Sequence, residues 1–304
     1  MTPILLAILP VFLVILIGLA MRRFGFPGDG FWEPVNRVNY YLCFPALLIH
    51  VLARASFRGT GVAAMLGATA AAILLLACVL FAIRPSLRLG GPAFTSLFQG
   101  ALRQNTFIGL AVAASLYGGS GLALSAVLLA GYVPLVNPLS IAVLVRYGEG
   151  ARGGGGAMLR EIARNPIPIA CAIGLLLDLS GIGLPLGSDR LLDILGQASL
   201  ALGLLATGAG IEALPLKGVR LSVLLAILVK LLILPLLVWL AMAALGADGL
   251  ARKIAVLFAA LPTASGSFVL AAVLGGDTPL MAAIVVIETA LAVATMPLVL
   301  AWLT

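Results

Sequence analysis

The chain has 304 residues, of which 62% are hydrophobic and 10% are charged, with a mean hydropathy of +1.21 and a formal net charge of +7. Soluble domains carry about 25% charged residues, so this chain has too little polar surface to be solvated as a globule, and we expect lipid to surround it. The basic residues are scattered between apolar runs, which argues against the continuous basic stripe of a nucleic-acid-binding surface.

Ten apolar stretches are each close to the ~20 residues that a helix needs to cross the hydrocarbon core. In chain order they lie near residues 3–21, 33–53, 61–83, 95–117, 121–145, 165–182, 190–212, 218–243, 252–274 and 278–303. The first stretch follows no basic segment and contains no small-residue cleavage site, so we interpret it as a retained span rather than a secretory signal. The chain is therefore expected to be a multi-pass membrane protein.

The basic residues of the loops predict the orientation, because cytoplasmic loops carry the excess of Lys and Arg. Alternate loops are rich and poor in them. The rich set contains Arg22, Arg23, Arg37, Arg84, Arg88, Arg146, Arg152, Arg160, Arg164, Lys217 and Arg220, and the poor set contains Arg54, Arg58, Arg190, Arg252 and Lys253. We expect the rich set to face the cytoplasm of a bacterial cell and both termini to lie outside its inner membrane.

The longest connection between spans separates two groups of five and contains the glycine run 153–156. A phosphate-binding loop would need Gly-Lys-Ser/Thr at the start of a helix, and that pattern is not found here. We therefore interpret residues 151–163 as a flexible cytoplasmic linker. It joins a first five-helix unit, residues 1–150, to a second one, residues 164–304.

Two landmarks recur in the same order in both halves, as expected for an internal repeat. The pair Gly118-Gly119 follows span four and the pair Gly275-Gly276 follows span nine, while Pro138 of span five corresponds to Pro297 of span ten. Because each half has an odd number of spans, the second half must be inverted relative to the first. The sequence predicts an all-α integral membrane fold of two inverted five-helix repeats.

Spans four and nine each carry a polar patch inside an otherwise apolar helix. Unwound backbone is tolerated in a membrane only where it lines an enclosed or wet cavity, and paired interruptions in corresponding helices indicate a transport site near the midplane. Helix N-termini at such a site favour an anion. The predicted substrate-binding residues are Asn105, Thr106, Asn137, Thr263, Ser265 and Ser267. Each could instead be a polar contact between helices.

Glu288 and Lys230 lie well inside spans ten and eight. A charged side chain at the centre of a membrane helix costs about 2.5–3.5 kcal/mol, so both are expected to face the protein interior. Glu288 could couple transport to protons or a cation, or it could be a structural carboxylate that Lys230 neutralises. Lys230 could in turn bind a substrate anion or act as the counter-ion.

Several motifs occur in order along nearly the whole chain. They are Phe44-Pro45-Ala46-Leu47-Leu48, Asn105-Thr106-Phe107-Ile108-Gly109-Leu110, Val136-Asn137-Pro138-Leu139, Lys230-Leu231-Leu232-Ile233-Leu234-Pro235, Leu261-Pro262-Thr263-Ala264-Ser265 and Gly275-Gly276-Asp277. In these motifs the chain resembles the auxin efflux carrier family, which includes plant exporters and many bacterial carriers. This chain departs from the family at one feature. Many relatives have proline at the crossing of the two broken helices, and this chain has Ala111 and Ser267 there.

The resemblance implies that spans four and nine are broken and cross each other. It implies a dimerising scaffold of spans 1, 2, 6 and 7 and a mobile transport domain of spans 3–5 and 8–10. It also implies transport of organic anions by an elevator-like motion, with Asn105 and residues 265–267 beside the substrate.

We therefore expect a secondary carrier, in the direction of efflux, for a small organic anion such as a carboxylate. It would work in the bilayer as a homodimer, without a cofactor or a metal ion. Two alternatives are a cation or proton exchanger that uses Glu288 and Lys230, and a membrane sensor that transports nothing. An intramembrane enzyme is disfavoured, because the chain has one histidine and no His-Glu-x-x-His motif.

Overall fold

The computed structural model describes residues 2–28, 30–55, 61–149, 166–185, 187–211 and 221–303. Every regular element within these ranges is a helix, which confirms the all-α class. The predicted glycine-rich linker, residues 151–163, lies outside the described residues. A helix bonds its own backbone N–H and C=O groups, so it suits a chain with this much apolar sequence.

The described part of the first half contains six α-helices. They are α1 (Thr2–Arg23), α2 (Trp32–Val38), α3 (Phe44–Ala53), α4 (Val62–Leu87), α5 (Gly91–Leu102) and α6 (Thr106–Tyr147). A π-helical turn, Asn39–Cys43, joins α2 to α3 without a break. The helix α6 is bent at Gly118, whose φ of 61° and ψ of −151° are not helical.

The second half contains seven helices in the described ranges. They are α7 (Pro166–Ser180), α8 (Ser188–Ala209), α9 (Leu221–Leu228), α10 (Leu234–Ala244), α11 (Leu250–Ala259), α12 (Gly266–Leu274) and α13 (Thr278–Leu303). A second π-helical turn, Val229–Ile233, joins α9 to α10. Both π turns come just before a proline, Pro45 or Pro235, whose ring would clash with the i−4 carbonyl in a regular α-helix.

Within the described residues, six helical stretches are long and apolar enough to cross a bilayer. They are Ile4–Arg23, Val62–Leu87, Gly91–Tyr147, Ser188–Ala209, Leu221–Ala244 and Thr278–Leu303. The stretch Gly91–Tyr147 has 57 residues, far more than the ~20 that one crossing needs, and it is divided between α5 and α6 and again at Gly118. These helices support a multi-pass membrane protein, while the arrangement of ten spans as two inverted repeats stays a prediction.

The helices α1, α2, α3, α7 and α8 pack closely on one another. Glycine makes this possible where α1 meets α8: a Cβ on Gly208 would lie 1.8 Å from the backbone oxygen of Ile15, and a Cβ on Gly18 would lie 2.0 Å from that of Leu205. Small residues at such contacts let membrane helices approach until their backbones touch. We call this set of helices the first group.

The remaining helices, α4 to α6 and α9 to α13, form the second group. The helix α5 is enclosed within it: a Cβ on Gly100 would lie 2.8 Å from Cγ2 of Ile284 on α13 and 3.3 Å from Cβ of Ala226 on α9. Phe94 and Phe98 of α5 are fully buried. The second group therefore surrounds the end of α5, where the chain stops being helical.

We expect Gly208→Ala to lower the free energy of unfolding by about 1–3 kcal/mol, the usual cost of overpacking, because the new methyl group would overlap the Ile15 carbonyl. Gly67→Ala is the matched control, since Gly67 is an exposed residue of α4 with no atom within 4 Å of a Cβ. Thermal unfolding in detergent would compare the two. An unchanged melting temperature for Gly208→Ala would contradict the close contact of α1 with α8.

Candidate functional site

Two helices are interrupted where the sequence places its polar patches. The helix α5 ends at Leu102 and α6 begins at Thr106, while α11 ends at Ala259 and α12 begins at Gly266. We call residues 103–105 the first break and residues 260–265 the second break. The family's proline positions, Ala111 and Ser267, lie inside helices; the interruptions therefore form without prolines there.

The two breaks are hydrogen-bonded to each other, and we call the place where they meet the crossing. The backbone N–H of Asn105 donates to the carbonyl oxygen of Pro262 at 2.8 Å. The hydroxyl of Thr263 donates to the carbonyl oxygen of Gly100, in the last turns of α5, at 2.7 Å. Backbone groups that lack a helical partner are thus satisfied across the crossing, as a site removed from water requires.

Asn105 connects three parts of the molecule and is 3% exposed. Its Oδ1 accepts from the backbone N–H of Ile108 at 3.2 Å and so caps the N-terminus of α6. Its Nδ2 donates to Oγ1 of Thr207, on α8 of the first group, at 3.3 Å. The predicted residue Asn105 therefore lies where the crossing meets the first group.

Glu288 holds the second break in place through a hydrogen bond. Its Oε2 accepts from the backbone N–H of Thr263 at 2.8 Å, and both residues are 0% exposed. This carboxylate bond replaces a helical partner for the Thr263 amide. A bond from an N–H to a charged acceptor is stronger than one to a neutral acceptor, so Glu288 holds the break in one shape.

Lys230 is also 0% exposed and lies in the π turn between α9 and α10. Gly100 of α5 packs against Ala226 and Ile284. Lys230 comes four residues after Ala226, and Glu288 comes four residues after Ile284, which is about one helical turn in each case. Among the described residues, Nζ of Lys230 and Oε1 of Glu288 have no hydrogen-bond partner. The two side chains that were predicted as a charge pair are therefore both buried, and no hydrogen bond joins them.

The other predicted residues differ in their surroundings. Ser267 is 0% exposed, and its Oγ has no hydrogen-bond partner in the part of the chain that the structure describes. Ser265 is half-buried, and its Cβ would lie 3.4 Å from a Cβ on Gly210, at the end of α8. Thr106 is half-buried at the start of α6. Asn137 is half-buried further along α6, and among the described residues no hydrogen bond joins it to the crossing.

The sequence did not predict the residues of α8 that touch the crossing. Besides Thr207, Gly203 lies against Phe107, since a Cβ on Gly203 would be 2.3 Å from a ring carbon of Phe107. The small buried residues Gly196, Ser199, Gly203 and Thr207 recur every three or four positions of α8. This spacing, which puts side chains on one helix face, is the signal that could have identified them.

A cavity of about 1070 Å³ lies between the two groups, at the end of the molecule where α3 finishes. Its lining includes His50 and Arg54 of α3, Asp193 of α8, and residues that follow Gly118 in the second group. Arg54 Nη1 donates to Oδ1 of Asp189 at 2.9 Å, which is also 3.1 Å from Nε2 of His50. The loops at this end belong to the set poor in Lys and Arg, and their outward orientation stays a prediction.

Comparison with known proteins gives two matches. Residues 155–300 match the family described as "Membrane transport protein". The chain is also 29% identical, over 304 residues, to a protein of Rhizobium meliloti (strain 1021) described as "Putative malonate transporter"; the alignment covers 95% of this chain and 92% of the relative. The family match includes the second break, Lys230 and Glu288.

Proposed function

We propose that this chain is a secondary carrier for a small organic anion, like members of the auxin efflux carrier family that it resembles. The match of residues 155–300 to a membrane transport family and the 29% identity to the Rhizobium meliloti protein support this. The crossing of the two breaks carries the proposal. There, the backbone N–H of Asn105 bonds to Pro262 of the second break, and α6 and α12 begin at the ends of the two breaks. Partial positive charge and unpaired N–H groups at helix N-termini favour a carboxylate.

The N-terminus of α12 is the better anion site of the two. The N-terminus of α6 is already capped by Asn105, whereas α12 has no side-chain cap from Ser265. Two N–H groups of its first turn, those of Ser267 and Phe268, donate to the carbonyl oxygens of Ala264 and Ser265 at 3.0 Å. Ser265 is half-buried and Gly266 is exposed, so a small molecule could reach the first turn of α12. We propose that a carboxylate binds there, with the Asn105 amide beside it.

We propose a small carboxylate as the substrate and malonate as its first probe. The Rhizobium meliloti relative is described as a malonate transporter of putative status, and its length matches that of this chain. The direction of efflux follows from the family and not from the geometry of the site.

An elevator-type motion is our proposal for the mechanism. The first group would be the fixed scaffold, through which a homodimer forms, and the second group would be the moving transport domain. The cavity between the groups supports this division. The inverted repeat is supported by two corresponding glycines of positive φ, Gly118 and Gly275. Gly118 lies at the bend of α6, next to residues that line the cavity. The carbonyl oxygen of Gly275 accepts from the N–H of Glu149, just after the C-terminus of α6.

The second candidate function is a cation or proton exchanger. The observation that favours it is this pair of side chains, because among the described residues Oε1 of Glu288 and Nζ of Lys230 are buried without hydrogen-bond partners. A buried carboxylate that keeps one free oxygen can accept a proton or a cation. Glu288 and Lys230 would then form the ion site, and the two breaks would move together with these side chains.

Asn105→Asp should weaken malonate binding, with a rise in Kd of at least about tenfold. The new carboxylate keeps the acceptor that caps α6 but replaces the amide donor with a negative charge, which repels an anion in a site of low dielectric. Calorimetry on the purified protein would measure this. Ser180→Ala is the control, since Ser180 is an exposed residue at the end of α7. Wild-type affinity in Asn105→Asp would place the substrate elsewhere.

Joining Ala7→Cys to Ser115→Cys by oxidation should stop malonate transport, and reduction should restore it. Ser115 Oγ of α6 donates to the backbone oxygen of Ala7 in α1 at 3.0 Å, so the disulfide would tie the two groups together. The exposed Cys78 is first replaced by serine. Arg54→Cys with Asp189→Cys, a pair within the first group, is the control. Full transport by the oxidised Ala7→Cys/Ser115→Cys protein would rule out this motion.

Glu288→Gln in proteoliposomes separates the two candidate functions. The amide keeps an acceptor for the Thr263 N–H but cannot lose or gain a proton near neutral pH. For a carrier, we expect malonate binding to persist within about threefold, while any acceleration of uptake by a pH gradient disappears. An exchanger would instead lose all ion flux and show no malonate binding in either protein.

A further inference from the structure

Two arginines at one end of the second group lie beside the same aromatic ring. Arg84 is in the last turn of α4 and Arg146 is in the last turn of α6. The guanidinium carbon of Arg84 is 4.0 Å from the centre of the Tyr147 ring, and that of Arg146 is 5.2 Å from it. We call Arg84, Arg146 and Tyr147 the arginine cluster. Phe94 of α5 adds a second ring, 5.4 Å from the guanidinium carbon of Arg84.

The part of the chain that the structure describes does not balance the positive charge of the arginine cluster. Within the described ranges, neither arginine forms an ion pair with an acidic side chain, and the buried Nε of Arg84 has no hydrogen-bond partner. Contact with an aromatic face attracts each cation but leaves its charge in place, and two like charges held near one ring repel each other. The cluster therefore favours an anion.

The chemistry of guanidinium groups favours a phosphate among the possible anions. Each group presents planar N–H donors that can bind two phosphate oxygens at once. Contact with Tyr147 restricts both side chains before the anion arrives, so less side-chain freedom is lost when it binds. The cluster also lies away from the crossing: Tyr147 meets Gly91 at the start of α5, where a Cβ would be 2.1 Å from the Tyr147 carbonyl oxygen, whereas the first break follows the end of α5.

An apolar surface of α4 leads to the arginine cluster. Phe81, one helical turn before Arg84, is 39% exposed, and its ring centre is 6.4 Å from that of Tyr147. Leu74, seven residues before Phe81 and on the same face, is 45% exposed. The helix α4 is long and apolar enough to cross a bilayer, so its exposed apolar side chains would meet acyl chains. A ligand that fits this surface has a phosphate at one end and hydrocarbon below it.

We propose that the arginine cluster binds the phosphate of an anionic phospholipid whose acyl chains lie along Leu74 and Phe81 of α4. A soluble phosphate would meet the same two guanidinium groups, but it would gain nothing from the apolar surface beside them. Phosphatidylcholine would fit the surface, but its choline carries a positive charge that the arginines repel. The site is independent of the proposed transport function, because its residues lie away from the crossing and its ligand is not the substrate.

Native mass spectrometry of the detergent-purified protein, titrated with palmitoyl-oleoyl phosphatidylglycerol, tests the proposal. We expect Arg84→Gln/Arg146→Gln to raise the Kd for this lipid at least about tenfold, because basic residues near the membrane surface attract anionic headgroups. Arg23→Gln/Arg37→Gln is the matched control, since it removes the same charge from exposed residues of the first group and should leave the Kd unchanged. An equal Kd in the two double variants would overturn the site. Displacement of the lipid by millimolar inorganic phosphate would overturn the choice of a phospholipid.

A measurement on the wild-type protein covers the case in which the Arg84→Gln/Arg146→Gln variant does not fold. A phosphatidylglycerol with a photoreactive group on its acyl chain is incorporated with the protein into phosphatidylcholine vesicles. We expect labelling to concentrate on α4 near Leu74 and Phe81, and unlabelled phosphatidylglycerol to suppress it. Labelling spread evenly over the lipid-facing helices would overturn the proposal. Neither experiment involves malonate, so failure of the proposed transport function would leave both results unaffected.

Discussion

The need to satisfy backbone polar groups away from water governs this structure. Each unpaired N–H or C=O in hydrocarbon costs several kcal/mol, yet two helices are interrupted at buried residues, among them Asn105 and Thr263. The interruptions are tolerated because each supplies the other's partner: Asn105 donates to Pro262, and Thr263 donates to Gly100. Neither break could exist alone, so the crossing is a single structural unit.

The buried charges follow from the same need. Glu288 supplies a side-chain acceptor to the second break, where it receives the Thr263 N–H. A buried carboxylate needs hydrogen bonds or a compensating charge nearby. The basic side chain of Lys230 is also fully buried, in the π turn between α9 and α10.

The sequence predicted those features that depend on residue types unusual in a membrane helix. Polar residues within apolar helices located both breaks, because such residues have few other reasons to be there. It could not predict Thr207 and Gly203, since small residues on a membrane helix are equally typical of simple packing. Asn137 was predicted to hydrogen-bond a carboxylate, but among the described residues no hydrogen bond joins its side chain to the crossing. Local pattern identifies the interruption, whereas its neighbours depend on tertiary packing.

The π turn at Val229–Ile233 has a consequence for how this chain can change. It holds one residue more than an α-helical turn, so the faces of α9 and α10 are offset by about 100° relative to a continuous helix. A one-codon deletion within it would remove that offset and rotate α10 about its axis. Lipid-facing side chains such as Leu236 and Leu240 would turn away from the bilayer. Insertions and deletions at this point should therefore be selected against more strongly than substitutions.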